Sequence, residues 1–575
     1  MTALQMTHQR IDDIPLLLAI MIEVGIPQQI DRQIKPHGHW QGISVGMVVT
    51  IWLCYILTEH DHRLVAVREW VNERHDLFKR LLGIELRDTD LTDDRLANCL
   101  TMLGVSKNQA DLDQALVQEW ITLYELPTDT TRHDSTTVSV YQEADEADES
   151  GVDGVMGYGH SKDHRPDLVQ FKVMLSTLDP AGLPLTCQVV NGKRADDGLY
   201  IPSYESAAAT IGHRRFLAVG DSKMGAIGTR AYLAAQGSAY LTAFREPAAQ
   251  AADLAQWLET ALSCEPEWQT VEQIDERTGE IKTIACIYAW ERPQAHLHPE
   301  RDEPFIWTER VLVTRSNALQ AGMTKKREQA RQRLYAELDK LAQPAKRGRK
   351  RYRTQEELAQ ATANLCHTYK LDDIITFTFK AEAHPTGGKR WLVADYQCDA
   401  QGWQRMVDRL GWQVYLSNAP TNLYSDADLL LTYRRQPRLE RGISRLKSRN
   451  LHIRPVFLHD DQRICGLTWL LFLALRVVVL LEFRVRRELV QRQEKILGLN
   501  PASKTQETNL PTTERLLKAF DNITFSIVQQ GDVTYYHVTP LTVIQEHILS
   551  LLSLPNDIYL RLAEAHPKPL FNLRE

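Results

Sequence analysis

Five side chains in this sequence could together break a phosphodiester. Asp134 lies in TRHDSTTVSVY, Asp221 in RRFLAVGDSKMG, and Tyr433, Glu440 and Lys447 in YRRQPRLERGISRLK. Val138 and Val140 share the parity of Asp134, the alternation of a strand with one buried face. Asp221 ends an apolar run that reads as a buried strand. From Tyr433, residues Gln436, Glu440 and Lys447 follow at offsets of 3, 7 and 14, which fall on one face of an α-helix. Two strand-borne carboxylates and a helix-borne one are the oxygen ligands that two Mg²⁺ ions need for phosphoryl transfer. Alone, the 433–447 stretch, with Arg434, Arg435, Arg438, Arg441 and Arg445, reads as a solvated, charged surface helix. The two aspartates upstream change that reading.

The elements that must position these groups follow from the pattern. Residues 126–245 show a β-β-β-α-β-α-β order: a strand near 129–141, then two strands joined by the turn Asp179-Pro180-Ala181-Gly182. A helix with acidic residues at its start (DDGLYIPSYESAAATIG), the strand FLAVG, a helix at about 225–236 and the strand AYLTAF complete the series. Pro437 suits the first turn of a helix and not its interior, so the helix carrying Glu440 is expected to begin there, after one ending near Tyr433. The one-face argument then holds firmly for Glu440 and Lys447. If the strand reading slips, Asp163, Asp167, Asp196 and Asp197 are competing acids.

On these residues the chain resembles the DDE transposases of bacterial insertion sequences, in the large IS-four-like group. The resemblance covers roughly residues 126–245 and 419–485. The group's signature, Tyr-x2-Arg-x3-Glu-x6-Lys, is kept at Tyr433, Glu440 and Lys447, but Gln436 stands in the Arg position. The implied fold is α/β and multidomain. An RNase H-like catalytic core, in which the two Asp-bearing strands adjoin, is interrupted by a mostly β insertion domain. A helical N-terminal domain precedes it. The separation of 219 positions between Asp221 and Glu440 (440 − 221) requires such an insertion. The implied domains are 1–125 (helical, DNA-end binding), 126–245 and 419–485 (the two parts of the core), 246–418 (insertion) and 486–575 (accessory or oligomerisation). GYGHSKDHRPD resembles a recurrent stretch of these transposases, whose Lys162 and Arg165 could hold phosphates. Related transposases flip a base onto a tryptophan, which makes Trp290, Trp307 and Trp391 candidates for stacking.

Composition bounds these expectations. The 575 residues are too many for one core, and 43% apolar with 25% charged is ordinary for a soluble protein. The net charge of −7 means that DNA must be met by local basic patches, not by a global field. The densest patch is Lys346, Arg347, Arg349, Lys350, Arg351 and Arg353. Lys447, Arg449, His452 and Arg454 continue a basic strip beyond Glu440, and Arg445 is a further candidate for contact with DNA. Eight scattered cysteines include no C-x-x-C and no zinc spacing, as in a reducing cytosol. No apolar signal region follows Met1, so a cytoplasmic, nucleoid-associated protein is expected. The run 466–483 is long enough to span a membrane, but Arg476 interrupts it and RVRRE follows, so it reads as a buried core helix.

The chemistry so implied uses two Mg²⁺ or Mn²⁺ ions, with Asp134 bridging both, Asp221 on one and Glu440 on the other. Lys447 would hold a phosphate as a point charge and Tyr433 through its hydroxyl. Gln436 can hydrogen-bond a phosphate without adding charge. The implied partners are double-stranded DNA, as terminal inverted repeats and target, and a second copy of the chain on DNA. A metal-dependent nuclease without strand transfer, or an inactive DNA-binding relative, would share the core. The insertion, the basic stretch and the helical N-terminus favour the transposase.

Overall fold

The computed structural model describes residues 4–141, 154–244, 251–264, 267–275, 279–344, 350–383, 388–448, 450–500, 503, 505–565, 567 and 569. The chain divides into two compact units: Met1–Thr242 with Ala295–Trp307 and Thr432–Glu575, and Ala243–Gln294 with Thr308–Leu431.

The first unit opens on a strand, β1 (Leu4–Arg10), that the helical reading of the N-terminus did not predict. Seven helices follow: α1 (Ile14–Glu23), α2 (Ile26–Gln33), α3 (Val45–Glu59), α4 (Leu64–Asn72), α5 (His75–Leu82), α6 (Asp93–Leu103) and α7 (Ser106–Tyr124). Then come β2 (Thr130–Val140), β3 (Val169–Leu178), β4 (Leu183–Asn191), α8 (Tyr200–Ile211), β5 (Leu217–Gly220), α9 (Ile227–Ala235) and β6 (Ala239–Ala243). The strand order is β4-β3-β2-β5-β6. β3 runs antiparallel to β2 and β4, whereas β5 runs parallel to β2 and β6. This is the RNase H-like order, with the first strand central. Every residue of β3 is buried, the polar Gln170, Lys172, Ser176 and Thr177 included, so the sheet is covered on both faces here.

The second unit carries α10 (Ala251–Ser263), β7 (Gln269–Ile274), β8 (Ile281–Leu297), β9 (Pro304–Arg315), α11 (Asn317–Leu341), α12 (Gln355–Tyr369), β10 (Ile375–Ala383), β11 (Lys389–Cys398), α13 (Ala400–Asp408) and β12 (Trp412–Ser417). Its strands form a sheet in the order β12-β9-β8-β7 and a separate β10-β11 hairpin. Leu334 and Leu338 of α11 pack with Cys366, Leu371 and Ile375 in its own small core. Helices are thus a larger share of the insertion than its apolar strand runs suggest. Trp307, at the end of the 295–307 tip that belongs to the first unit, is buried and donates to the Tyr240 hydroxyl at 2.9 Å. It is a core residue and not a stacking platform for a base. Trp290 and Trp391 are half-buried.

The chain then returns through α14 (Asp426–Arg434), α15 (Pro437–Lys447) and α16 (Asp461–Arg492). α16 is the one helix among the described residues long and apolar enough to cross a membrane, and its apolar window is 94% buried inside the protein. It packs against β4 and α6. Gly466 allows that approach, since a Cβ there would lie 2.1 Å from the Leu100 carbonyl oxygen. Arg476, within the apolar run, is fully buried: it pairs with Asp113 at 2.7 Å and donates to the Pro184 carbonyl at 2.9 Å. The segment β13 (Ile496–Leu497), β14 (Glu507–Thr508), α17 (Thr513–Lys518), β15 (Thr524–Gln530), β16 (Val533–Val538) and α18 (Val543–Leu551) closes the unit. β15 and β16 form an antiparallel hairpin, and β15 also pairs with β1, Leu4 opposite Gln530.

Candidate active site

Two parallel strands place the first two acids side by side. His133 of β2 pairs with Gly220 of β5, and Asp134 and Asp221 each follow by one residue. Gly220 leaves room there: a Cβ would come within 2.7 Å of Met224 Sδ and 3.1 Å of the Tyr200 ring. The Tyr200 hydroxyl donates to Asp221 Oδ1 at 2.5 Å, and the Lys223 amide donates to the same oxygen at 2.9 Å. Thr242 of β6 donates to the Asp221 carbonyl at 2.7 Å, which fixes the strand end itself.

Asp134 Oδ1 accepts from the Ser135 amide at 2.7 Å and from Lys162 Nζ at 3.3 Å. The Lys162 ammonium also donates to the Ser135 carbonyl at 2.6 Å and approaches Asp196 at 3.9 Å. Burial pushes the Asp134 carboxyl above its ordinary value; Lys162 opposes this and the neighbouring Asp221 charge adds to it. Asp196 goes the other way. Burial would raise it, but Lys172 at 2.7 Å and Lys162 hold it below the ordinary carboxylate range.

Glu440 sits in the first turn of α15, with Pro437 at the helix start and Gln436 at the N-cap. Its charge suits that end of the helix dipole. α15 packs against β2 and α16, with Leu439 and Leu446 buried. Glu440 and Lys447 each follow one of those leucines, so they share an adjoining stripe. Glu440 itself is exposed. Among the described residues no three His, Cys, Asp or Glu side chains converge closely enough to hold a metal ion. The structure therefore brings Asp134 and Asp221 together, and Glu440, on the helix packed against β2, does not converge with them as a third ligand.

The remaining candidates separate. Lys447 Nζ donates to Asp163 Oδ1 at 2.6 Å. Burial pulls its ammonium below its usual value; the Asp163 carboxylate opposes this. Tyr433 is half-buried in the last turn of α14, and the Gln436 side-chain oxygen is buried without a hydrogen bond among the described residues. Arg445 does not face outward with the basic strip: it is buried and held by Glu482 and by Glu514 at 2.7 Å, a packing position. Arg165 pairs with Asp167 at 2.7 Å. Lys350 lies over the Tyr352 ring at 5.4 Å, beside Arg351 and an exposed Arg353. Lys346, Arg347, Arg349 and Arg449 lie outside the described residues.

Residues 126–476 match the transposase DDE domain family. The chain belongs to the DDE transposase family. Residues 6–112 of the transposase match a second family, described as a domain of unknown function (DUF4277). Among curated proteins none matches it. Membership carries transposition of an insertion sequence, DNA binding and the family's general use of divalent metals. The donor set of the transposase fits such a metal. Asp134 and Asp221 carry hard carboxylate oxygens at adjoining strand ends, and Asp134 is made reluctant to ionise by burial first and partly by its neighbour, a repulsion that a divalent cation would relieve. Sequence reasoning missed three parts of this site in the transposase: Tyr200, the Lys172–Asp196 pair and the Lys447–Asp163 contact. The first acidic helix of the core was the available signal for Tyr200, which lies at its start. The two ion pairs join separated segments, and nothing local marks them.

Proposed function

We propose that this transposase binds the terminal inverted repeats of its element as a homodimer, cuts at their ends and joins the freed 3′ ends to target DNA. The observation that carries this is the register of β2 and β5, which sets Asp134 beside Asp221 at the centre of the sheet. Asp134, Asp221 and Glu440 would hold two Mg²⁺ or Mn²⁺ ions, Glu440 reaching them from the helix packed on β2. When bound, such ions activate a water and stabilise the leaving 3′ oxygen. Tyr200 and the Lys223 amide occupy one oxygen of Asp221 and leave the other for a ligand. Lys447 and Tyr433 would position backbone phosphate, and Lys162 and Arg165 would add contacts from the 157–168 loop. The exposed side of Lys350, Arg351 and Arg353 would meet DNA backbone without reading sequence.

The test is Asp134→Asn, Asp221→Asn and Glu440→Gln, one at a time, on duplexes carrying the DNA that flanks the coding sequence. Each substitution is expected to abolish metal-dependent nicking and strand transfer while end binding persists. Nicking that survives any one of them refutes the three-carboxylate site.

A further inference from the structure

Asp163 sits where an anion from outside the protein would be expected. Its Oδ1 accepts from Lys447 Nζ at 2.6 Å and its Oδ2 from Arg454 Nη1 at 3.3 Å. Among the described residues it is the one carboxylate paired with either cation. The side chains of Asp163 and Lys447 are 17% and 15% exposed, and that of Arg454 is 35% exposed, so solvent reaches the cluster from the arginine side. Arg454 also lines a cleft of about 720 Å³ with His60, His62 and His452. The cluster therefore opens onto free volume. Its loop also reaches Asp134, because the residue before Asp163 is Lys162, whose ammonium lies 3.3 Å from the Asp134 carboxylate.

A carboxylate and a DNA phosphodiester present the same thing to a pair of cations: one negative charge on two acceptor oxygens. We propose that Lys447 and Arg454 form a binding site for one backbone phosphate of DNA, and that Asp163 fills this site while DNA is absent. This rests on the transposase reading and adds two residues to it. Arg454 becomes the second phosphate ligand, and Asp163 becomes the group that DNA must displace. The cations are thereby held in place before DNA arrives, at the cost of competition with it.

The test measures binding of a short fluorescent duplex of arbitrary sequence by anisotropy over a salt series. Asp163→Asn is expected to bind about tenfold more tightly than the parent at fixed salt, since a charge-assisted contact no longer has to be broken. Two comparisons separate displacement from loss of one negative charge. Asp167→Asn, on the same loop but paired with Arg165, should gain about twofold or less. Adding Arg454→Gln to Asp163→Asn should remove most of the gain. Arg454→Gln alone should bind more weakly, with a log–log salt slope shallower by about one and an unchanged melting temperature. This last variant stands if Asp163→Asn fails to fold. The site is overturned if Asp163→Asn binds no more tightly than the parent, if its gain persists without Arg454, or if Arg454→Gln leaves the slope unchanged. A parent protein that binds no duplex would overturn the transposase reading together with the site.

Discussion

Arg132 ties β2 to the helix pair that carries Glu440, and removing it should cost both stability and chemistry. Its side chain is fully buried, two residues before Asp134. Nε donates to both oxygens of Asp179, at 2.9 and 3.0 Å, and Nη2 donates to Asp179 Oδ2 at 2.7 Å. Nη2 also donates to the Thr432 carbonyl, in the helix α14 that leads into the Glu440 turn. In Arg132→Met the Asp179 carboxylate remains buried without its cation. Breaking a buried pair from one side costs about 3–5 kcal/mol. The whole folding free energy of a domain is about 5–15 kcal/mol, so this is a large share of it. Urea unfolding of the first unit, followed by fluorescence of its buried Trp52, Trp120 and Trp469, should show a clearly lower midpoint. Arg132→Met with Asp179→Leu should regain most of that loss, because no lone charge is left buried. The double variant should still cut DNA slowly, since Thr432 has lost its donor in both. A single variant within about 1 kcal/mol of the parent, or a double variant as unstable as the single, would refute the argument.

Two further outcomes follow from charge. The folded pKa of Asp134 is raised above its ordinary 3.8, so its ionised form destabilises the metal-free fold as pH rises through the folded pKa, and the penalty is absent below about pH 4. Metal-free Asp134→Asn should therefore melt above the parent at about pH 7.5 and level with it near pH 4; equal melting at both would show that the carboxylate is not strained. Replacing Lys346, Arg347, Arg349, Lys350, Arg351 and Arg353 together with Gln should weaken binding to any duplex and flatten its salt dependence, and an unchanged slope would mark the stretch as a solvated linker.

How much was legible depended on how local the cause was. TRHDSTTVSVY is a strand that holds Asp134, though both of its faces are buried where the alternation implied one, and the apolar FLAVG run is a strand that ends just before Asp221. Pro437 placed the break between α14 and α15, because a residue without an amide hydrogen belongs in a first turn. Arg476 marked the long apolar run as a core helix, and Asp113 supplies the buried partner that this reading required. Long-range pairings left no such mark. β1 meets β15 across more than five hundred residues, and a seven-residue strand at a chain start has no local partner to betray it. Arg445 looked like a contact for DNA because Glu482 and Glu514, which bury its charge, lie far along the sequence.

The same contrast separates the acids of the core by their partners. Asp163, Asp167, Asp196 and Asp197 were all plausible ligands from the sequence. Each has a cation of its own: Lys447 and Arg454 for Asp163, Arg165 for Asp167, Lys172 for Asp196, and Lys223 at 3.6 Å for Asp197. Asp134 and Asp221 differ because the fold sets them beside each other and not each beside a dedicated arginine. Lys162 is the cation nearest Asp134, and it divides its contacts between Ser135, Asp134 and Asp196. Tyr200 is neutral, so its hydrogen bond orients Asp221 without cancelling its charge. A protein that needed these acids for packing would have paired them, as it does with Arg132 and Asp179. Two carboxylates held at adjoining strand ends, one oriented by a phenol and an amide and the other beside a shared lysine, are what the proposed metal site rests on.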